Sequence, residues 1–528
     1  MTQTWRDRLL LFALAVMVNG SVAALVSQPG YVDAYYYFNG GQIIANGRPL
    51  TEPYIWNYAY AAGSLPVPAF GFWQPLPSLL AALGIAALRF LPPFDAAQVV
   101  FVLLAAIIPV LAYHVASRLG ERRHALLAGL LAVFSGFYVI VWSLPESFTP
   151  FALCGAASLL LAGEGMARRR RREWLIAGVF AALSHLARAD GLLLIGIVVI
   201  MALLIRLPAR ARLMFAGLAL AGYVVTISPW LLRNFAVFGG LQPPGGLNAL
   251  WLMEYNDLFN YPQNVTPARY FAAGWNAILA VKWDALVTNT TSFVAVVNLI
   301  FLTPLTLIGL WRRWRNDRLK PALWYGVALF AAMTFAFSLV GARGGYFHSA
   351  GALIPFVFSA AALGLDDILH WAVARRGWNF HASSRFFGAS LIVMAALLTG
   401  YLIMLRIVGL PLSGEVAYNT ADAVYAEIGA ELARLDVPPD APVMSNNSPG
   451  FYYFTGHGGV PLPNGDEATL LQAADDYGVS YLVVDHNVPD GLVSLFKHGP
   501  VSRRLELIQV YGSDSAATYL YRIQPQGP

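Results

Sequence analysis

A single cysteine, Cys154, stands in the whole chain, so no disulfide forms within it and no cysteine cluster holds a metal. It lies in an apolar run and reads as a small core residue. Charge is scarce too: Asp, Glu, Lys and Arg make up 12% of the 528 residues, against roughly 25% in an ordinary soluble domain. That shortage excludes a soluble multidomain enzyme and a disordered chain. Neither a glycine-rich nucleotide loop nor a repeat of fixed period is apparent. Most apolar stretches carry no acid or base at mid-length, which argues against a proton relay or an ion pathway through a bilayer.

What is present is apolar. Hydrophobic residues make up 58%, the mean hydropathy is +0.57, and long apolar runs recur from Leu9 to Leu405. This is the pattern of an α-helical polytopic membrane protein with a polar appendage. The net charge of +5 and pI near 9.1 come from basic clusters in short loops. Such clusters report topology rather than nucleic-acid binding, because Lys and Arg resist translocation. Arg6 and Arg8 with the loops 118–124, 168–172, 206–212, 312–320 and 375–385 hold 21 of the 34 basic residues. Placed together, they define the cytoplasmic side. The first run follows Arg6-Asp7-Arg8 and has no small-residue cleavage site, so it is expected to be a retained anchor.

A span needs about 20 apolar residues. Counting by parity gives about eleven transmembrane helices, at 9–27, 96–117, 125–142, 151–167, 174–187, 191–205, 213–232, 291–311, 321–341, 351–365 and 386–405. The helix-like run 75–90 cannot cross in this scheme and is assigned to the outer interface, within a first external loop at 28–95. A long external loop follows at 234–289, and the transmembrane domain occupies 1–410 with a cytoplasmic N-terminus. From 411 to 528 helix-like stretches (420–435, 466–477) alternate with strand-like ones (442–445, 480–485, 505–510, 517–523), as in a small extracytoplasmic α/β domain.

Parity puts Asp33, Glu52, Glu146, Arg188, Asp190, Arg233, Glu254, Asp257, Arg343 and His348 on the external side, at helix ends. Ionisable groups at such boundaries are costly and mark function. Asp33 follows the first span within Tyr31-Val32-Asp33-Ala34-Tyr35-Tyr36. A carboxylate desolvated among aromatics gains basicity and suits a general base; it equally suits the N-cap of a helix over 34–46. Trp56, Tyr58, Tyr60, Phe70, Phe72 and Trp73 form an interfacial belt or, for one or two of them, a sugar platform. Glu146 is a second acid or a helix cap before Phe151. Arg188 and Asp190 tip a hairpin and either pair with each other or face a ligand. Arg343 and His348, flanked by glycines, suit a phosphate or a lipid headgroup.

Five blocks then carry a resemblance. They are Asp33-Ala34-Tyr35-Tyr36 with Gly47, Phe72-Trp73-Gln74-Pro75-Leu76-Pro77, Leu144-Pro145-Glu146-Ser147-Phe148, Leu186-Ala187-Arg188-Ala189-Asp190-Gly191, and Pro229-Trp230-Leu231-Leu232-Arg233-Asn234 with Phe238-Gly239. In order and side, this resembles the C-type (GT-C) glycosyltransferases. The similarity is greatest to the branch of protein O-mannosyltransferases and lipid A aminoarabinose transferase, glycosyltransferase family 39. It implies a GT-C fold in a bacterial plasma membrane and transfer, with inversion, from a polyprenyl-phosphate sugar to an acceptor hydroxyl on the extracytoplasmic face. It implies Asp33 as general base, Glu146 as second acid, and Arg343, His348, Arg233 and Arg188 around the donor phosphate. Tyr35, Tyr36, Trp56, Trp73, Gln74, Asp190 and Glu254 would line the donor and acceptor sites; no cofactor is assigned, and a divalent metal (Mg or Mn) bridging Asp33 and Glu146 stays open, two carboxylates on separate loops being weak ground for one.

Two departures leave the acceptor class, whether glycan, lipid or protein, open. Ala34 stands where the mannosyltransferases carry Glu, and Gln74 where the aminoarabinose enzymes carry Lys. The rival functions are a lipid-linked glycan flippase and a non-catalytic glycan-assembly protein. A flippase needs a polar route through the bilayer.

Overall fold

The computed structural model describes residues 3–59, 63–409, 418–513 and 517–525. Tyr60 and the domain boundary at 410–411 lie outside the described residues. Among those described, six helices are long and apolar enough to cross a membrane: Gln3–Leu25, Pro93–Leu119, Phe148–Arg168, Ala209–Phe238, Ser338–Arg376 and Phe380–Val408. The remaining five expected spans are shorter or interrupted. The run 125–142 breaks between Arg122–Val133 and Phe137–Val141 at Gly136, whose φ is 64°. The run 291–311 breaks where Leu299 and Ile300 take φ of 51° and 64°. The run 321–341 begins as the helix Lys320–Ala331 and breaks at Phe337. The hairpin 174–205 is built from Arg171–Ala187 and the shorter Leu192–Leu204. Apolar content does not report a backbone kink, so the hydropathy reading ran across each break.

The short hairpin helices sit inside the bundle. Arg171–Ala187 packs between Phe148–Arg168 and Ala209–Phe238. Glycines let the last of these approach closely: a Cβ on Gly178 would lie 1.9 Å from the Ala219 carbonyl, and one on Gly222 would lie 2.1 Å from that of Leu175. Small residues at such crossings substitute van der Waals contact for a hydrophobic drive that is absent between helices in lipid.

The basic stretches 6–8, 118–124, 168–172, 312–320 and 375–385, expected to share one side, gather at one end of the bundle, most of them stapled by acids. Asp7 binds Arg122 (2.7 Å) and Tyr113 (2.9 Å). Glu164 binds Arg168 (2.7 Å) and Arg318 (2.9 Å). Asp366 binds Arg123 (3.0 Å), and Asp367 binds Arg313 (2.6 Å). These ion pairs close loops far apart in sequence.

At the other end the first loop folds as the helix Val32–Ala45, an antiparallel ribbon of Thr51–Glu52 with Val67–Pro68, and the helix Leu76–Ala87. The last of these has 12 residues, too few to span, and lies against Val32–Ala45, where Ser78 Oγ donates to the Tyr37 carbonyl at 2.9 Å. The C-terminal region is α/β, as expected. Its mixed sheet has the order Gly459–Val460, Val443–Met444, Tyr481–Val484, Thr518–Ile523, Leu505–Tyr511, with the first three parallel and the last two antiparallel. The expected helices appear as Val424–Arg434 and Glu467–Tyr477, the latter capped by Asp466. The helix Ser448–Thr455, carrying Pro and Gly in its first turn, escaped the sequence reading.

This domain is joined to the first loop by backbone pairing. Gly459 accepts from the Ile55 amide (3.0 Å) and donates to the Pro53 carbonyl (3.1 Å). Tyr58 Oη donates to the Pro461 carbonyl (2.7 Å), and Asn39 Nδ2 to that of Pro449 (2.9 Å).

Gly178→Leu should therefore overpack the central crossing and lower stability by about 1–3 kcal/mol or more. Thermal melting of the detergent-purified protein reads this as a drop in Tm, whereas Gly196→Leu, where nothing lies within 4 Å, should leave Tm unchanged.

Candidate active site

Three chain segments converge at the end of the bundle beneath the C-terminal domain. Asp33 lies in the first turn of Val32–Ala45, and the N-cap position belongs to Tyr31, so the expectation that Asp33 caps this helix is corrected. Its carboxylate still profits from the positive end of the helix dipole. Glu146 sits in the bend before Phe148–Arg168, fully buried. It does serve that helix start: Oε2 accepts from the Phe148 amide at 2.7 Å, and Oε1 from Ser147 Oγ at 2.8 Å. His348 comes from the helix Tyr346–Ala350. Its ring stacks on Phe148 with centroids 3.7 Å apart, and Nδ1 lies 3.4 Å from Glu146 Oε1. Ligand atoms of Asp33, Glu146 and His348 all lie within 4.8 Å of one another.

Two carboxylates this close repel, and burial deprives them of water. Burial pushes the Asp33 carboxyl above the usual carboxylate range, and Arg188 opposes the rise. Burial also pushes Glu146 up, the Asp33 charge adds to it, and Arg188 again opposes. Arg188 follows the helix Arg171–Ala187. Its Nε pairs with Asp190 Oδ1 at 3.2 Å and its Nη1 donates to Ser147 Oγ at 3.4 Å. Asp190 in turn accepts from Ser349 Oγ, next to His348. The two residues of the hairpin tip therefore pair with each other and also face the acids.

The other expected residues divide. Tyr36 Oη donates to Glu52 Oε1 at 2.5 Å, and its ring meets Trp73 edge-on at 4.7 Å. Trp56 and Trp73 stack face to face, 4.4 Å apart and 2° from parallel. Tyr35 points instead at Tyr453 and Phe454 of the C-terminal domain, away from the acids. Gln74 Oε1 accepts from Trp230 Nε1 at 3.0 Å and holds two segments together. Arg233 donates to the Ala69 carbonyl at 2.6 Å, lies over the Trp230 and Phe238 rings, and acts on Glu52 rather than on the Asp33 cluster. Glu254 is exposed and caps the turn Tyr255–Phe259 in a box with Asp257. Arg343 is exposed on the Gly341–Gly345 segment, with its guanidinium 5.0 Å from the Tyr255 ring centroid. Burial pushes the Tyr255 phenol up to about 12, with the Asp33 charge adding and Arg343 opposing, so both charges act on this ring.

The sequence reading missed Tyr37, whose phenol burial pushes well up and on which the charges of Glu146, Arg188, Asp33 and Asp190 all act. Its spacing of four from Asp33, one helical face, was the available signal. It also placed His348 with the phosphate-binding residues, whereas the fold sets it against Glu146. No spacing could have indicated that, because 201 residues separate His348 from Ser147, its hydrogen-bond partner at 3.3 Å.

The donor set fits a divalent cation. Two carboxylates and an imidazole from three elements suit Mn²⁺ or Zn²⁺, and the carboxylates also suit Mg²⁺. A cation there would relieve the repulsion between Asp33 and Glu146. Thermal melting should show Mn²⁺ raising Tm, by the equivalent of about 2.7 kcal/mol at a hundredfold excess over Kd, with His348→Ala or Glu146→Gln abolishing the rise.

Glu52 gives a separate pH signature. Burial pushes its carboxyl from 4.5 up to about 7, against the donors Tyr36 and Phe70. The folded form thus holds a proton that the unfolded chain releases near 4.5, so stability should fall as pH rises from about 4.5 to about 7. Tm measured against pH should show that decline in the wild type and a flatter profile in Glu52→Gln.

Comparison with known proteins follows the same lines. Residues 74–232 match the family model of dolichyl-phosphate-mannose-protein mannosyltransferase. No curated protein sequence matches the chain significantly. ArnT from Cupriavidus metallidurans, solved in the apo state, is similar in fold with a TM-score of 0.55 at 14% identity, over 98% of this chain and 99% of that one. The Archaeoglobus fulgidus oligosaccharyltransferase in complex with Zn and sulfate gives 0.53 at 13% identity, over 97% and 73%. The AglB enzyme of the same organism, with an inhibitory peptide and a dolichol-phosphate, gives 0.51 at 13%, over 97% and 74%. The resemblance read from the sequence is thereby borne out: this membrane protein has the C-type glycosyltransferase fold, and its residues 74–232 match the dolichyl-phosphate-mannose-protein mannosyltransferase family.

Proposed function

We propose that the chain is a glycosyltransferase that moves a sugar from a polyprenyl phosphate to an acceptor hydroxyl on the extracytoplasmic face, with inversion. The observation that carries this reading is the convergence of Asp33, Glu146 and His348 within 4.8 Å at one end of the apolar bundle. The relatives support the donor class: the matched family is named for a dolichyl-phosphate-mannose donor, and one fold neighbour holds a dolichol-phosphate.

Asp33, made more basic by burial, takes the proton of the acceptor hydroxyl as its oxygen attacks the anomeric carbon. The bond from that carbon to the phosphate oxygen breaks, and polyprenyl phosphate leaves with the electron pair. Arg343 is the first candidate to receive the phosphate, being exposed near Tyr255 without an acidic partner among the described residues. Arg188, held by Asp190, sets the field on both acids. Glu146 and His348, with Asp33, would hold a divalent ion; when bound, such an ion supplies positive charge next to the developing phosphate charge. Trp56 and Trp73 offer a flat apolar wall for a sugar ring. The bilayer orients the donor's tail.

The test is incubation of purified protein with a panel of polyprenyl-phosphate sugars and membrane acceptors, scoring release of the lipid phosphate. Asp33→Asn should reduce transfer by about 10²–10⁴-fold while leaving the fold and donor binding intact. Arg343→Ala should raise the KM for donor more than it lowers kcat. Movement of an intact lipid-linked glycan across proteoliposomes without release of phosphate would instead support a flippase.

A further inference from the structure

A cavity of about 240 Å³ opens where the first loop, the long loop and the C-terminal domain meet. Tyr58, Tyr261 and Tyr477 form three of its walls, and Gln263, Gln472 and Asp476 supply its polar groups. We propose that it is a subsite for one sugar ring of an acceptor glycan, selective for neutral or amino sugars. The inference rests on the transferase reading and deepens it by naming the acceptor as a carbohydrate.

The three rings are tilted against one another rather than stacked. Tyr58 and Tyr261 have centroids 4.9 Å apart at 56°, Tyr261 and Tyr477 6.2 Å at 57°, and Tyr58 and Tyr477 6.1 Å at 52°. Such an arrangement makes a shallow cup: Tyr58 (1% exposed) and Tyr477 (8%) are its packed floor, and the half-buried Tyr261 ring presents its π face, negative at the centre, to the weakly positive C–H face of a pyranose. The cup is rigid. Tyr58 Oη is fixed to the Pro461 carbonyl at 2.7 Å, and Tyr261 Oη donates to Asp476 Oδ2 at 2.6 Å.

The polar groups divide into those that are occupied and those that are free. Gln263 is used internally, with Oε1 accepting from the Asn264 and Val265 amides at 2.9 and 3.0 Å. Gln472 is exposed and, among the described residues, has no hydrogen-bond partner. Asp476 is exposed and has Oδ1 free. An amide that both donates and accepts, beside a carboxylate that accepts, matches vicinal hydroxyls, and the carboxylate also suits an ammonium. No Lys or Arg lines the cavity, and the adjacent Arg504 is turned to Asp475 at 2.6 Å. A uronate or sulfated sugar would meet the Asp476 charge uncompensated.

Position favours the acceptor over the donor. Tyr261 is six residues beyond Tyr255, whose ring lies 5.0 Å from the Arg343 guanidinium and feels the Asp33 charge, so at most about 22 Å of extended chain separates the two. Between them Phe259 meets Trp56, which stacks on Trp73. An oligosaccharide with one ring in the tyrosine cup could lay its terminal hydroxyl along this aromatic wall toward Asp33.

The full-length protein in detergent should be applied to an array of hexose, hexosamine and uronate glycans. Saturable binding to neutral or amino glycans, weakened about tenfold in Gln472→Ala and in Tyr261→Ala, is the expected result. Tyr261→Phe keeps the ring and loses only the Asp476 bond, so it guards against misfolding of the alanine variant and should bind more tightly than it. In transfer assays the Gln472→Ala effect should appear in the acceptor KM rather than in kcat. The proposal is overturned if no array glycan binds saturably, if uronates bind as tightly as neutral sugars, or if Gln472→Ala and Tyr261→Ala bind like the wild type. Glycan binding with no transfer from any donor would keep the subsite and reject the transferase. Transfer with an acceptor KM untouched by these variants would do the reverse.

Discussion

The structure depends on keeping two acids, Asp33 and Glu146, close together away from water. Like charges at this separation oppose one another, and desolvation penalises both. They persist because three kinds of neighbour offset that penalty. The start of Phe148–Arg168 supplies an amide and the Ser147 hydroxyl to Glu146, and the dipole of Val32–Ala45 favours Asp33. Arg188 then adds a full positive charge, itself aligned by Asp190. Remove any of these and the acids would take up protons or separate.

The two ends of the bundle treat their acids differently. At one end Asp7, Glu164, Asp366 and Asp367 each contact an arginine directly, which neutralises them and ties loops together. At the other end Asp33 has no ion pair among the described residues, and Glu146 meets only His348 at ion-pair distance. Paired acids brace a fold; acids left short of counter-charge keep the capacity to bind a cation or accept a proton. At the crossing of Gly178 and Gly222, two helices of the bundle come into backbone contact.

The first loop does more than decorate the membrane surface. Its Trp56–Trp73 stack and the Tyr36–Glu52 bond form a wall beside the acids, and the Pro53–Ile55 backbone pairs with Gly459 of the C-terminal sheet. The C-terminal domain is thereby registered against the site by strand-like hydrogen bonds, a stiffer link than side-chain packing. Tyr35, Tyr36 and Tyr37 show how one helical turn serves three purposes. Tyr35 packs on the C-terminal domain, Tyr36 holds the loop, and Tyr37 faces the charges.

Several features were legible from the residues alone. The membrane class follows from charge scarcity, the shared end of the basic loops from their Arg content, and the α/β character of the last segment from a change of period. Asp33, Glu146, Arg188 and Asp190 could be singled out because an ionisable residue at the end of an apolar run has few bland explanations. Only tertiary structure decided that His348 joins the two acids while Arg233 and Gln74 brace the first loop, and that Tyr35 turns away. It also decided where helices break, at Gly136 and at Leu299–Ile300. The reason is physical. Composition and periodicity record what each segment must bury, whereas contacts between residues two hundred apart are set by how the helices cross, which no local pattern encodes.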